Sequence, residues 1–347
     1  MLLAGDVGGT HIRLGRFRLR ADGRLEEAGE IENYRSRDFP DLASAAAEYL
    51  GQDRLAAACF GIPGPVRNNR ATTPNLPWPE LDGDAIGARL GLPAGRALLV
   101  NDLAAAAAGL DDLGSDQLLV LQKGEGGTPG VGGNRALVSA GTGLGIALQT
   151  RVGDRWATLA TEGGHMDFAP RDEEEWALLG YLSERLGEES GGHVSAERLV
   201  SGPGLVNLYT FLRDRRGLAP HPRVEQALAD KAAGVSGLDP SAAIAEVSAA
   251  EDSVLCDRTL AMFCSIYGAV AGNVALVGGA VGGVFLGGGV APKVRDRLVE
   301  GEFLRSFRAK GRFSSYLARI PVRIVLEPHA GLLGAAKLAA EAATPTF

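Results

Sequence analysis

Apolar and polar positions alternate from the start of the chain. Leu2–Val7 is a short apolar run, and after Gly8-Gly9 the side chains of Ile12 and Leu14 point one way, His11 and Arg13 the other. Period-two alternation around a glycine turn predicts a β-hairpin. Asp41–Leu50 (DLASAAAEYL) reads as a helix. LAAACFGIPGPV reads as a buried strand running into a Pro/Gly turn, RALLVND as a second buried strand, and DLAAAAAGL after it as a helix. The opening pattern then returns in RALVSAGTGLGIALQT, Arg135–Thr150: strand, small polar residue, glycine turn with a threonine, strand. Two such hairpins predict two related α/β halves. GEGGTPGVGGN, just before the second hairpin, reads as a flexible loop.

The remainder is more helical. Ser201 is placed to cap a helix that carries Leu205, Leu208, Tyr209 and Leu212 on one face. Ser253–Val277 is long and apolar enough for a central buried helix, and HAGLLGAAKLAAEAA for a closing one. No residue from Gly268 to Pro292 is charged, a length that would span a membrane. Repeated glycine pairs make one continuous helix there costly, however. The reading is a buried helix ending near Val277, a turn, and a buried strand around Val284–Leu286 that runs into a third glycine turn, GGGVAP.

Composition narrows the function classes. A chain of 347 residues favours two domains, and 46% hydrophobic against 22% charged residues builds a core easily. The net charge of −7, with no long basic run, argues against a nucleic-acid or anionic-membrane partner. Cys59, Cys256 and Cys264 form no CxxC pair, which points to a reducing compartment. Met1–Asp6 has no basic region or long apolar stretch, so no secretory signal is expected. The 49 glycines cluster at strand ends, where backbone turns sharply or approaches a ligand closely.

Those turns carry the candidate chemistry. Neither hairpin has the GxxxxGK[ST] pattern, and neither is a GxGxxG turn leading into a helix, so a P-loop or a dinucleotide site is unsupported. Glycine turns do expose backbone N–H groups that form anion-binding concavities. One such turn means little, whereas two similar turns and LGGGVAP together favour phosphate. GDVGGT, SAGTGLG and FLGGGVAP resemble the two phosphate segments and the adenosine segment of the actin/hexokinase/Hsp70 ATPase superfamily. More narrowly, VND, EGGHMDFAP, GHVSAERLVSGPGLVNLY, GGVFLGGGVAP and HAGLLGA resemble the zinc-free, ATP-dependent bacterial glucokinases, in family order from Leu3 to about Ala335.

The resemblance implies a role for each site residue. Asp102 matches the base that accepts the proton of the sugar 6-hydroxyl; read by position alone it is a helix cap, and both roles are compatible. Such a base must be well placed rather than tuned to neutral pKa, because phosphoryl transfer is mostly positioning and charge stabilisation. Glu162, His165 and Glu197, with Asn75 and Asn101, are the implied sugar contacts. Carboxylates accept and neutral imidazole does either, which suits hydroxyls that are both donor and acceptor. No HExxH is present, and His11, His193, His221 and His329 lack zinc spacing. Trp78 reads as packing rather than as a stacking platform. Asp6 would face the phosphates and hold hydrated Mg²⁺ through water, since Mg²⁺ needs only one or two carboxylates beside phosphates. Thr10 and Thr142 would touch phosphate, Gly8, Gly9, Gly141 and Gly143 would allow close backbone approach, and Gly287, Gly288 and Gly289 would lie against adenine and ribose.

Two features depart from the wider family. His11 stands where many relatives have Asn, and the cysteine-rich zinc motif of the repressor/open-reading-frame/kinase group is missing. The expected fold is α/β, two actin-like (ribonuclease H-like) domains flanking a cleft that closes on its substrates. The small domain is expected at 1–112, completed by a C-terminal helix in 330–347, and the large one at 113–329. The expected function is a cytoplasmic, homodimeric glucokinase that transfers the γ-phosphate of ATP to the 6-hydroxyl of glucose. Its alternatives are a kinase for mannose, fructose or an N-acetylhexosamine, and a non-catalytic sugar sensor on the same fold. ADP, GTP or polyphosphate remain open as donors in place of ATP. A DNA-binding regulator would need a helix-turn-helix extension, and with LLAGDVGGT starting at residue 2 none is expected, which counts against that reading.

Overall fold

The computed structural model describes residues 1–72, 76–78, 80–124, 133–153, 155–187 and 191–344. The chain divides into two compact units. One comprises Met1–Gln117, Val152–Ala160 and Glu327–Phe347, the other Leu118–Arg151 and Thr161–Leu326. Most of the glycine-rich stretch read as a loop before the second hairpin lies outside the described residues, as does Asn75.

The first unit is built on the opening hairpin. Leu2–Val7 pairs antiparallel with His11–Leu19, in a register running from Leu2↔Phe17 to Val7↔Ile12. It also pairs parallel with Ala57–Ile62, which pairs parallel with Ala97–Asn101. The strand Ala57–Ile62 is buried at every position, as its unbroken apolar sequence requires of a strand covered on both faces. Alternation sorts the side chains into two cores. Leu3, Val7, Ile12, Leu14 and Phe60 pack with the helix Leu42–Leu50, while Leu2, Ala4, Phe17 and Cys59 pack with the C-terminal helix Ala330–Ala343. Asp41 accepts the Ser44 N–H at 2.8 Å and caps the first of these helices rather than belonging to it. Trp78 is buried in the first core and donates its indole N–H to the Phe39 carbonyl at 2.9 Å, a packing role.

The second unit repeats the scheme. Arg135–Ala140 pairs antiparallel with Leu144–Val152 and parallel with Gly283–Gly287, which pairs parallel with Val322–Val325. Hairpin followed by two parallel neighbours is the order of the first unit, so the repeated sequence pattern is a repeated fold. The uncharged run resolves as expected. Val254–Gly278 is a helix, Gly279 ends it at φ +53°, and Gly283–Gly287 is a fully buried strand. Among the described residues this is the one helix long and apolar enough to cross a membrane, and most of it is buried in the core of the unit. Its glycines serve packing. A Cβ on Gly268 would stand 2.1 Å from the Phe303 carbonyl oxygen, so the helix Glu302–Arg308 approaches where a side chain would forbid it. Tyr267 meets Phe263 and Phe303 with ring centroids 5.7 and 5.4 Å apart, pairs worth about 0.5–1.5 kcal/mol each beyond their buried area.

Candidate active site

In both units the candidate residues gather at the carboxyl ends of parallel strands, where open α/β sheets bind ligands. In the first unit Asp6 pairs with Gly61 across two adjacent strands. Gly61 has no side chain, and a Cβ there would meet the Asp102 Cα at 3.4 Å. Asp6, Gly61 and Asp102 therefore form a row at one sheet edge. Asp102 opens the helix Asp102–Ala108. The capping residue is Asn101 and not Asp102, which corrects the positional reading. The Asn101 side-chain oxygen accepts the N–H groups of Leu103 and Ala104 at 3.0 and 3.2 Å, and its amide donates to the Gly64 carbonyl at 3.1 Å. One oxygen of Asp102 accepts the Leu103 N–H at 2.8 Å. Asn101 thus spends its side chain on fixing the turn that presents Asp102.

The first glycine turn is held from outside. Gly8 N–H donates to the His11 carbonyl at 2.8 Å within the turn. Buried Ser36 grips it at two further points, its hydroxyl donating to Gly8 O at 2.7 Å and its N–H to Thr10 O at 3.0 Å. This leaves the N–H groups of Gly9 and Thr10 without a partner among the described residues. Burial pushes the Asp6 carboxyl above its usual range, against the opposing pull of Arg13 at 3.3 Å and the positive field of His329. Gly331, near the start of the C-terminal helix, faces Asp6; a Cβ there would lie 3.9 Å from its Cγ. Arg13, Ser36 and His329 escaped the sequence reading. Arg13 has a signal in retrospect, since it is the cross-strand partner of Asp6.

The second turn is built likewise. Gly141 N–H donates to Gly143 O at 2.8 Å, and Gly202 N–H donates to Gly141 O at 2.8 Å. The Leu144 N–H is taken by Glu197 Oε2 at 2.9 Å. The N–H groups of Thr142 and Gly143 remain without a partner among the described residues. The third turn packs beside it: Val290 N–H donates to Ala140 O at 3.0 Å, and Gly288 sits at φ +80° with no room for a Cβ, which would stand 2.2 Å from that oxygen. Between the two turns opens a cavity of ≈ 370 Å³, lined by Thr142, Gly202, Lys231, Ser241, Gly289 and Lys293 among others. Lys231 reaches Asp239 at 3.1 Å. Burial would raise the Asp239 carboxyl, but hydrogen bonds from Ser241 and Lys231 outweigh it and hold the group below its usual range. None of Lys231, Asp239, Ser241 and Lys293 was read as a site residue in the sequence: Lys231 and Ser241 come from helices far along the chain, Asp239 caps the second of them, and Lys293 follows the third glycine turn.

The two segments that carry the expected sugar contacts of the second unit meet at Leu144. Glu197 takes its N–H, and Gly164, between Glu162 and His165, lies so close that a Cβ would stand 1.9 Å from its carbonyl oxygen. Ala196 N–H donates to Met166 O at 2.8 Å and Phe168 N–H to Val194 O at 2.8 Å, lacing the two segments together. Glu162 and His165 are exposed and Glu197 half-buried. Among the described residues no group of three or more His, Cys, Asp or Glu could hold a metal ion by itself. Asp6 beside a phosphate turn still suits Mg²⁺, which takes most of its ligands from water and phosphate.

The family model described as glucokinase matches residues 3–342. The chain belongs to the glucokinase family. It is 39% identical to the glucokinase of Trichormus variabilis over 348 aligned positions, 98% of this chain and 99% of the relative. It is 38% identical to that of Stenotrophomonas maltophilia, covering 98% and 95%. Among solved structures, a glucokinase from an Antarctic psychrotroph superposes with a TM-score of 0.78 at 29% identity, covering 98% of each chain. The glucokinase of Balamuthia mandrillaris in complex with glucose shares the fold, with a TM-score of 0.74 at 19% identity and coverages of 98% and 93%. The mixed α/β architecture of two sheet-centred units is thus the glucokinase architecture, and the family is one of ATP-dependent sugar kinases.

Proposed function

We propose that this chain transfers the γ-phosphoryl group of ATP to the 6-hydroxyl of D-glucose, giving glucose 6-phosphate and ADP. The observation that carries the reading is the pair of glycine hairpins, each ending a parallel strand with two N–H groups left over for an anion. The cavity lined by Thr142, Gly289 and Lys293 takes adenosine, and the N–H groups of Gly9, Thr10, Thr142 and Gly143 take phosphate oxygens. Glu162, His165 and Glu197 bind the sugar together with Asn75 and the second amide hydrogen of Asn101, whose oxygen and first amide hydrogen hold the turn. Asp102 accepts the proton of the 6-hydroxyl as its oxygen attacks phosphorus in line and ADP departs. The helix cap at Asn101 and the Leu103 N–H fix the carboxylate, so its position is set by the fold. Mg²⁺ held by Asp6 through water would neutralise phosphate charge when ATP is bound. The small unit is read as 1–112 with the C-terminal helix. Family resemblance supports a cytoplasmic homodimer, and sedimentation of the purified protein reads the oligomer directly.

The test is ADP release with ATP and Mg²⁺ across glucose, mannose, fructose, N-acetylglucosamine and N-acetylmannosamine. Turnover with glucose is expected, falling by about 10²–10⁴-fold in Asp102→Ala, as for loss of a general base. Preferred turnover of another sugar would replace glucose in the reading, and native-like turnover of the variant would remove Asp102 as the base.

A further inference from the structure

Glu197 has one carboxylate and two tasks. If it binds sugar, as proposed above, it does so while its Oε2 accepts the Leu144 N–H at 2.9 Å. Leu144 is the residue that leaves the second glycine turn. The other end of that turn is gripped by the same short segment: Gly202 N–H holds Gly141 O at 2.8 Å. Between these points the segment is stiffened from within. The Ser201 hydroxyl donates to the Glu197 carbonyl at 2.7 Å, and Ser201 Oγ accepts the Gly204 N–H at 3.0 Å, capping the helix Gly202–Arg216. The clamp leaves the N–H groups of Thr142 and Gly143 without a partner among the described residues.

Gly143 shows how closely the carboxylate approaches. A Cβ at this position would stand 2.5 Å from Glu197 Oε2, whereas Gly141 has nothing within 4 Å. Gly143 is therefore a glycine to admit Glu197, independently of any phosphate. Across the turn, Leu144 O lies against Gly164 in the segment that carries Glu162 and His165. The backbone of Leu144 is thus shared by the sugar-binding segments and the phosphate turn.

We propose that Glu197 is a positioning residue for the nucleotide as well as a sugar ligand: it holds the second phosphate turn in its binding shape, so that sugar and nucleotide act on one another through a single carboxylate. The role rests on the reading of Glu197 as a sugar contact only for the coupling; the effect on the turn needs no sugar. The Leu144 N–H requires only an acceptor. An amide oxygen meets that need, while a sugar hydroxyl loses its charged acceptor.

The experiment is calorimetric titration of ADP with Mg²⁺ into native, Glu197→Ala and Glu197→Gln proteins without sugar, alongside the KM for glucose of each. Glu197→Ala is expected to bind ADP at least about tenfold more weakly, from the lost hydrogen bond to a charged group. Glu197→Gln should restore ADP affinity to about twofold of native by supplying that single acceptor, yet keep the raised KM for glucose. Should the Ala variant not fold, Glu197→Asp must show the same weakening, because its oxygen is drawn back by one methylene. Native ADP affinity in the Ala or Asp variant overturns the proposal, and so does a Gln variant as weak as Ala. If native protein phosphorylates no sugar while the ADP pattern holds, the functional reading alone falls. If glucose is phosphorylated and ADP affinity does not respond, the positioning role alone falls; a native protein that binds no ADP overturns both.

Discussion

The helix that presents Asp102 rests on another helix with almost no space between them. Gly334, in the C-terminal helix, is buried against Ala105, and a Cβ there would stand 1.7 Å from the Ala105 carbonyl oxygen, against 3.4 Å for ordinary contact. Gly109 makes the reciprocal approach, its absent Cβ lying 2.5 Å from Ala330 O. Replacing Gly334 by Ala would force the helices apart locally by about 1.7 Å, the difference between the two distances. The obstacle is backbone, which cannot rotate away. Overpacking of this kind costs about 1–3 kcal/mol, and the better helix propensity of Ala returns at most about 1 kcal/mol. A net loss of about 2 kcal/mol is expected. Ala105 lies one turn beyond Asp102, so the base moves too, and a misplacement of about 1 Å costs on the order of 10²-fold in rate. Urea denaturation followed by circular dichroism reads the first effect and kcat for glucose the second. Gly180→Ala is the control: it lies in the helix Glu173–Leu186 with nothing within 4 Å and should gain up to about 1 kcal/mol with kcat unchanged. A Gly334→Ala protein as stable and active as native would refute the packing argument.

Other outcomes follow from the same geometry. Asn101→Ala removes a cap and should cost about 1 kcal/mol in stability, with a fall in kcat that exceeds any change in the KM for ATP. Asp6 is raised by burial, so its ionised form costs the folded state stability at pH above the ordinary carboxylate range, and that cost fades as pH falls toward it. Asp6→Asn should accordingly melt higher than native at about pH 7.5, by a margin that shrinks as pH falls toward the ordinary carboxylate range, and lose turnover throughout; a margin that grows on acidification would reverse the sign of the argument. Cys59, Cys256 and Cys264 are buried, and burial pushes Cys264 up to about 12 and raises the other two. No thiol should react with Ellman's reagent in the native protein and three should in guanidine; rapid labelling of the native state would show that a core opens.

Local patterning fixed most of the architecture. Alternation around Gly8-Gly9 and again around Gly141–Gly143 announced both hairpins, and the uncharged run broke into helix and strand where its glycine pairs stand. What stayed hidden is whatever depends on distant segments meeting. Nothing near Ser36 marks it as the residue that grips the first turn, because its partners Gly8 and Thr10 lie in a turn 28 and 26 residues earlier in the chain. Lys231, Asp239 and Ser241 look like ordinary helix-surface residues until the fold sets them beside Thr142 and Gly289. The assignment of the cap to Asp102 failed for a finer reason: Asn101 and Asp102 are both good caps, and only the backbone, extended at Asn101 with ψ 142°, decides which residue precedes the first turn. Gly143 has a further reason to be glycine that the sequence does not show: a Cβ there would meet the carboxylate of Glu197.

The first unit takes its last helix from the far end of the chain. Leu332, Ala335, Ala336 and Ala339 cover the sheet face formed by Leu2, Ala4, Phe17, Ala57 and Cys59. On the ribosome, that face is complete once Asn101 has emerged, yet its cover is still to be synthesised. At ordinary elongation rates of about 5–20 residues per second the wait is on the order of 10–50 s. During it the second unit, which is continuous in sequence apart from one short excursion, is free to fold by itself. Birth order and folding order are therefore inverted: the segment made first becomes native last. A nascent chain stalled between Asn101 and Ala330 would present an uncovered apolar sheet to its surroundings, and that interval is when chaperone binding to this protein is expected to be strongest.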